Sequence, residues 1–112
     1  MLRTLQNEVE KWADHNFGDK RDPFFGVVEE VGELSHAILK KKQEIRGTAK
    51  EHEDAITDAV ADIVIFLSDF CALHDIDFES CVLETWDKVK KRDWKKYPKT
   101  GFPDPAVEEG GE

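Results

Sequence analysis

The chain has 112 residues, a length that fits one domain built around one core. Its formal charge of -9 argues against DNA or RNA as the main partner, because polyanion binding relies on basic side chains. Small anions remain open as ligands, since a metal ion can bridge acidic residues to a phosphate.

Targeting signals and cysteines indicate the compartment. The opening stretch MLRTLQNEVEKW carries charges where a signal peptide needs an apolar run, and no segment reaches membrane-spanning length. Cys71 and Cys81 are too few for a disulfide framework and stand in helical patterns, which favours reduced core thiols. We therefore expect a cytoplasmic protein without a membrane partner.

Two helices are predicted in the first third of the chain. Leu2, Leu5, Val9 and Trp12 recur at helical spacing and predict a helix from about residue 2 to 16. A second helix should begin near Asp22 and Pro23, end in Lys40, Lys41 and Lys42, and bury an apolar stripe. That stripe comprises Phe24, Val27, Val28, Val31, Leu34 and Ile38.

The remaining chain predicts two more helices. Residues 43–51 are polar and read as a loop, and the third and most apolar helix should run from about His52 to His74. A fourth helix should run from Phe78 to about Trp94. We predict an all-α, four-helix bundle-like domain over residues 1–97 and a loosely ordered tail over residues 98–112. So small a domain leaves apolar faces uncovered, which favours a homo-oligomer.

An acidic group stands out on the second helix. Glu29, Glu30 and Glu33, in the string EEVGE, fall within one sector of a helix at about 100° per residue. Like charges at this spacing repel each other unless solvent or a cation compensates. A solvated helix face is the ordinary explanation for such a group.

A second acidic position favours a metal site instead. Asp62 is the only charge in AVADIVIFL, residues 59–67, and a helix that is apolar nearly all round is a buried one. A buried carboxylate needs a partner or a metal ion, and Mg²⁺ prefers oxygen ligands. Asp58 lies one turn earlier. The alternative is a salt bridge from Asp62 to a Lys or Arg of another helix.

Together these residues resemble a known family. EEVGE followed by an aspartate in an apolar helix is similar to the EExxE…ExxD pattern of MazG-like all-α nucleotide pyrophosphohydrolases, and the flanking segments WADHNFG and KVKKRDWKKYP add to the likeness. The resemblance covers roughly residues 1–97. It implies Mg²⁺ as cofactor, with Mn²⁺ as a substitute, held by Glu30, Glu33 and Asp62.

The chain departs from this pattern at one position. The family's ExxD places an acid where this chain has Ala59, and Asp58 precedes it. Either Asp58 reaches the metal from the adjacent position, or the site has fewer ligands. We predict that Glu29 or Glu33, whichever is not saturated by metal, orients or deprotonates the water that attacks the substrate.

Substrate contacts are predicted at both ends of the chain. Lys88, Lys91 and Arg92 lie in a basic stretch suited to phosphates, although a solvated helix end explains such residues equally well. Trp12 and Asn16 offer a stacking ring and an amide for a nucleobase, although core packing alone explains Trp12. Phe66 either borders the site or belongs to the core.

The resemblance implies hydrolysis of a nucleoside triphosphate to the monophosphate and pyrophosphate. The expected partners are this nucleotide and a second copy of the chain, as a homodimer or homotetramer, with no nucleic acid polymer. Two alternatives remain open: an enzyme like phosphoribosyl-ATP pyrophosphohydrolase, and a non-catalytic helical oligomer with a degenerate metal site.

Overall fold

The structure, a computed structural model, describes residues 1–104, and this part of the chain is all-α, as predicted. Helix α1 spans Leu2–Phe17, α2 spans Pro23–Gln43, α3 spans Ala49–Leu73 and α4 spans Phe78–Val89. A single 3-10 turn, Gly18–Lys20, follows α1 and was not predicted. The chain divides into two compact units, one over Met1–Phe78 and one from Glu79 onward.

The starts of α2 and α3 follow different local signals, since Asp22 precedes α2 without making a side-chain capping hydrogen bond. Pro23 occupies the first turn of α2 directly after Asp22, as predicted. Helix α3 begins at Ala49, earlier than the predicted start at His52. The reason is a cap in the preceding polar stretch, where the Oγ1 atom of Thr48 accepts a hydrogen bond from the backbone N–H of Glu51 at 3.1 Å.

Helix α4 ends at Val89, before the predicted end at Trp94. The backbone N–H of Asp93 donates to the carbonyl of Gly101 at 2.8 Å. The Asp93 carboxylate also accepts hydrogen bonds from the backbone N–H groups of Lys95 and Lys96. These bonds hold residues 93–101 in a loop, where a helix as long as predicted would have continued to Trp94.

The first unit is built around α3. Helix α2 packs along α3, and α1 packs on α3 as well. Small side chains, Ala13, Ala37 and Ala59, are buried on the three helices. Gln6 of α1 joins the turn after α3: its amide donates to the carbonyl of Ile76 at 2.7 Å and accepts from the N–H of Phe78 at 2.9 Å.

Much of the predicted core is exposed. Phe24, Val28, Val31 and Ile38 of the predicted α2 stripe are exposed, whereas Val27 and Leu34 are half-buried. Helix α3 is not buried all round either, since Val60, Ile65 and Leu67 are exposed. The single chain supplies too few neighbouring helices to cover these faces.

The two cysteines differ in burial. Cys71 is buried as predicted, but Cys81 is exposed, so the prediction of a core thiol was wrong for Cys81. No helix within residues 1–104 is long and apolar enough to cross a membrane. The division into a domain over 1–97 and a tail over 98–112 stays a prediction, and residues 105–112 of that tail lie outside the described residues.

Candidate functional site

The acidic group predicted on α2 forms a tight cluster. Glu29, Glu30 and Glu33 each place one carboxylate oxygen within 4.8 Å of the others. Helix geometry accounts for this, because Glu33 follows Glu30 by three positions and Glu29 by four, and residues at these spacings share one side of a helix. Glu29 and Glu33 are exposed, whereas Glu30 is buried with only 8% of its surface accessible.

Glu30 is the unusual member of the cluster. Its Oε2 atom is buried and has no hydrogen-bond partner within residues 1–104. Burial raises the pKa of the Glu30 carboxyl, and the charges of Glu33, Asp62 and Glu29 raise it further. A buried carboxylate among like charges needs a proton or a cation to compensate it.

Asp62 of α3 lies near this cluster but does not belong to it. It is half-buried, and its charge is close enough to act on Glu30. Among residues 1–104 no ion pair involves Asp62. The alternative explanation of Asp62, a salt bridge to a Lys or Arg of another helix, is therefore wrong for this part of the chain.

The positions of Asp58 and Ala59 differ sharply. Asp58 is exposed and does not belong to the cluster of three glutamates. Ala59, where the family pattern has an acid, is buried with 3% of its surface accessible. An acidic side chain at position 59 would enter the helix packing, whereas Asp58 reaches solvent. Its role as a metal ligand stays a prediction.

A cavity of about 410 Å³ lies between α1, the segment before α2, and α3, and none of the three clustered glutamates lines it. Its walls include three aromatic side chains, Trp12, Phe17 and Phe66, and Asp62 is also part of its lining. Its size is typical of small-molecule sites. Asp62 therefore connects the acidic cluster with the cavity.

Trp12 is open to ligands. It is 56% exposed, so the explanation of Trp12 by core packing was wrong, and its ring meets the edge of Phe17 at 5.6 Å between centroids. The Asn16 amide donates to the Trp12 carbonyl at 2.8 Å. This bond uses the Asn16 nitrogen and leaves its oxygen as an acceptor.

The Phe66 ring occupies the space left by a glycine on the facing helix. A Cβ atom added to Gly26 of α2 would lie within 3 Å of three Phe66 ring atoms. The absence of a side chain at Gly26 therefore lets α2 and α3 approach each other here. Phe66 both packs against α2 and borders the cavity.

One ion pair in the cavity wall was missed by the sequence analysis. The Nε atom of Arg21 donates to Oδ2 of Asp69 at 3.0 Å, and both side chains are at least nine-tenths buried. Asp69 closely follows the apolar run that contains Asp62, and this position in a helix predicted to be buried was the sequence feature that could have identified it. Its partner is 48 residues away, and no local pattern identifies such a pair.

The predicted phosphate-binding residues belong to the second unit. The Lys91 ammonium contacts the Asp87 carboxylate at 3.3 Å. The Arg92 guanidinium lies 5.7 Å from the ring centroids of both Trp94 and Phe102. Lys88 is exposed in the last turn of α4. The three cations occupy one short stretch, and their contact with a substrate stays a prediction.

Comparison with known proteins identifies one family. The sequence model of the MazG nucleotide pyrophosphohydrolase domain matches residues 25–96. No curated protein and no solved structure matches the chain. The matched range contains the glutamate cluster, Asp62 and the three predicted phosphate-binding residues.

Proposed function

The chain belongs to the MazG nucleotide pyrophosphohydrolase domain family, and from this premise we propose that it cleaves a nucleoside triphosphate with Mg²⁺, releasing the monophosphate and pyrophosphate. Family membership supports nucleotide pyrophosphohydrolase activity in general. The observation that carries the finer proposal is the buried, unpartnered Oε2 atom of Glu30 inside a cluster of carboxylates.

These carboxylates fit a hard divalent cation. Every donor in the cluster is an oxygen, which suits Mg²⁺ and also Mn²⁺. Glu30, Glu33 and Asp62 would hold the ion, and Asp58 is a further candidate from the adjacent turn. When bound, Mg²⁺ neutralises charge on the triphosphate and so favours attack at phosphorus.

The two exposed glutamates suit the chemistry of the water. Water attacks the α-phosphorus, the bond from that phosphorus to the bridging oxygen breaks, and pyrophosphate leaves with that oxygen. The attacking water loses a proton, which Glu29 or Glu33 accepts because both carboxylates are accessible to solvent. We assign this role to whichever of the two does not hold the metal.

The cavity suits the nucleobase. Trp12 offers an accessible ring for stacking, and Asn16 has an amide oxygen not used in its bond to the Trp12 carbonyl. For the phosphates we propose Lys88, Lys91 and Arg92. Lys91 pairs with Asp87 at the protein surface, and a substrate phosphate would compete with that carboxylate for the Lys91 ammonium.

Self-association is part of the proposal. Large apolar side chains of α2 and α3, such as Phe24, Val28 and Val60, are exposed in the single chain. Exposed apolar surface of this extent favours association with a second copy of the chain. Light scattering at micromolar concentration should give the mass of a dimer or tetramer, and a monomer mass would contradict this part.

A panel of nucleotides tests the activity. The protein is incubated with canonical and modified nucleoside triphosphates and Mg²⁺, and monophosphate and pyrophosphate are quantified by chromatography. In ¹⁸O-labelled water, attack at the α-phosphorus places the label in the monophosphate. Glu30→Gln should abolish turnover, whereas Glu10→Gln on the exposed side of α1 should not. No metal-dependent turnover with any substrate would favour a degenerate site in a non-catalytic oligomer.

A further inference from the structure

Arg21 joins three parts of the first unit at one end of the cavity. Its Nε atom donates to Oδ2 of Asp69 on α3 at 3.0 Å. Its Nη1 atom donates to Oδ1 of Asp14 on α1 at 3.2 Å and to the Gly18 carbonyl of the 3-10 turn at 3.3 Å. Arg21 and Asp69 line the cavity, as does Phe17 at the end of α1. One guanidinium therefore connects α1, the turn and α3 where these segments enclose the cavity.

Helix α1 packs on α3 but not on α2. Within residues 1–104, no Cα atom of α1 lies within 8 Å of one in α2. The turn Gly18–Lys20, which follows α1, contains no buried residue. Burial of apolar side chains therefore contributes little to the placement of this turn. Arg21 links the turn to α3 through its hydrogen bonds to the Gly18 carbonyl and to Asp69.

Different residues hold the start of α1. The Gln6 amide bonds to the turn after α3, and the Arg3 guanidinium pairs with Asp77 at 2.8 Å. None of these three residues lines the cavity. Arg3 lies nine positions before Trp12, which is about 14 Å along a helix. The start of α1 therefore offers a matched comparison for the contacts of Arg21 at its end.

The length of the cavity suggests how a nucleotide would lie in it. Asp62 and Asp69 both line the cavity, and their seven-residue separation is about 10 Å along α3. A nucleotide whose phosphates approach the proposed metal ligand Asp62 would extend its base toward Arg21. Trp12 and Phe17, whose rings meet at 78°, form the aromatic part of the α1 wall. The placement of these two rings depends on where the end of α1 lies.

We propose that Arg21 is a positioning residue for the nucleobase, because it holds Trp12 and Phe17 at the distance from α3 that a base ring requires. This inference rests on the proposed function for the nature of the ligand. Arg21 acts through the α1 wall and takes no part in the metal site or in the attack of water. Its replacement should therefore weaken binding of the base and leave the chemical step unchanged.

Arg21→Lys separates positioning from stability. A lysine keeps a positive charge beside Asp69, but its single ammonium cannot reproduce the forked guanidinium that reaches three acceptors. We expect KM for an accepted nucleoside triphosphate to rise about 3- to 10-fold, the scale of one lost stacking contact, with kcat within about twofold. Arg3→Lys, the same substitution at the other end of α1, should change neither. An unchanged KM in folded Arg21→Lys, or a loss carried by kcat, would overturn the proposal.

Asp14→Ala provides a second test that keeps Arg21 in place. It removes the acceptor on α1, and because the Asp14 side chain is 75% exposed, the protein should still fold. KM should rise in the same direction as in Arg21→Lys, by a smaller factor, with kcat unchanged. If Arg21→Lys does not fold, an unchanged KM in Asp14→Ala would overturn the proposal.

Binding measurements separate this inference from the proposed hydrolysis. Calorimetric titration with CMP, UMP, AMP and GMP needs no turnover, and pyrophosphate with Mg²⁺ is the matched ligand without a base. Arg21→Lys should weaken binding of the monophosphates and leave that of pyrophosphate unchanged. If this difference is found without any hydrolysis, the positioning role stands and the proposed function fails. Monophosphate binding that is absent, or equal in the two proteins, or weakened no more than that of pyrophosphate, would refute the positioning role even where hydrolysis occurs.

Discussion

Arg21 and Asp69 form a nearly buried ion pair, with 3.0 Å between Nε and Oδ2, that ties the segment before α2 to the middle of α3. Burial raises the pKa of the Asp69 carboxyl, and Arg21 opposes that effect. Both charges were removed from water when the pair formed. The pair's measured contribution to stability therefore depends on which partner is removed.

Removing Arg21 should be costly. Arg21→Met leaves the Asp69 carboxylate buried without its cation, so we expect the free energy of unfolding to fall by about 3–5 kcal/mol. Urea unfolding followed by circular dichroism measures this. Lys50→Met, which breaks an exposed pair with Asp54, is the control and should cost no more than about 1 kcal/mol. Equal losses for the two variants would show that burial of the Arg21 pair is unimportant.

Two glycines of α2 should respond oppositely to alanine. Gly32→Ala should stabilise the protein by up to about 1 kcal/mol, since no atom lies within 4 Å of the added Cβ. Gly26→Ala forces the Phe66 ring to move and should cost about 1–3 kcal/mol. Thermal unfolding of both variants gives the comparison. A smaller side chain in the double variant Gly26→Ala, Phe66→Leu should restore part of the loss.

Asp62→Asn should show whether Asp62 binds a metal ion or has a purely structural role. The amide preserves volume but loses the charge that a hard cation needs, so Mg²⁺-dependent hydrolysis should be abolished. Stability in EDTA should be unchanged or higher, because one of the like charges beside Glu30 is gone. Stabilisation by Mg²⁺ should disappear. Melts of both proteins with Mg²⁺ and with EDTA test this, and a large loss in EDTA would contradict the metal site.

The raised pKa of Glu30 predicts how stability depends on pH without metal. Burial first, and then neighbouring carboxylates, raise this pKa above its ordinary value of 4.5, so the folded state binds the proton more tightly than the unfolded state. Stability should therefore rise as pH falls from the raised pKa toward 4.5. Above the raised pKa, Glu30 is ionised, and the destabilisation by its buried charge should be complete.

Melts in EDTA between neutral and mildly acidic pH measure this contribution. Glu30→Gln should be more stable than the wild type at neutral pH, and the difference should shrink as pH falls. Glu10→Gln, on the exposed side of α1, is the control. A constant difference between Glu30→Gln and the wild type would mean that Glu30 does not titrate in this interval.

Substitution of the basic residues of the second unit should raise KM in each case, but the effect on stability should differ between Lys91 and Arg92. Lys91→Ala should raise KM with little change in stability, because its exposed pair with Asp87 contributes at most about 1 kcal/mol. Arg92→Ala should raise KM and also loosen the loop, because its guanidinium lies 5.7 Å from the ring centroids of both Trp94 and Phe102. Steady-state kinetics and melts check both, and unchanged kinetics in both variants would remove this stretch from the site.

The amino-acid sequence by itself determined the local features. Apolar spacing identified all four helices, and Asp22 with Pro23 located the start of α2. The grouping of Glu29, Glu30 and Glu33 also followed from the sequence, since their spacing on any helix brings the carboxylates together. These features depend on residues a few positions apart, and helix geometry relates such residues directly.

Only the tertiary structure decided which of the clustered glutamates is buried and which distant residues it meets. Packing of α2 on α3 buried Glu30 while leaving Glu29 and Glu33 exposed, and it brought Asp62 within reach of Glu30. The pairing of Arg21 with Asp69 likewise required segments 48 residues apart to meet. Apolar periodicity predicts that a face avoids water but not which neighbour covers it. The exposed Phe24 and Val28 therefore contradicted their predicted burial within one chain.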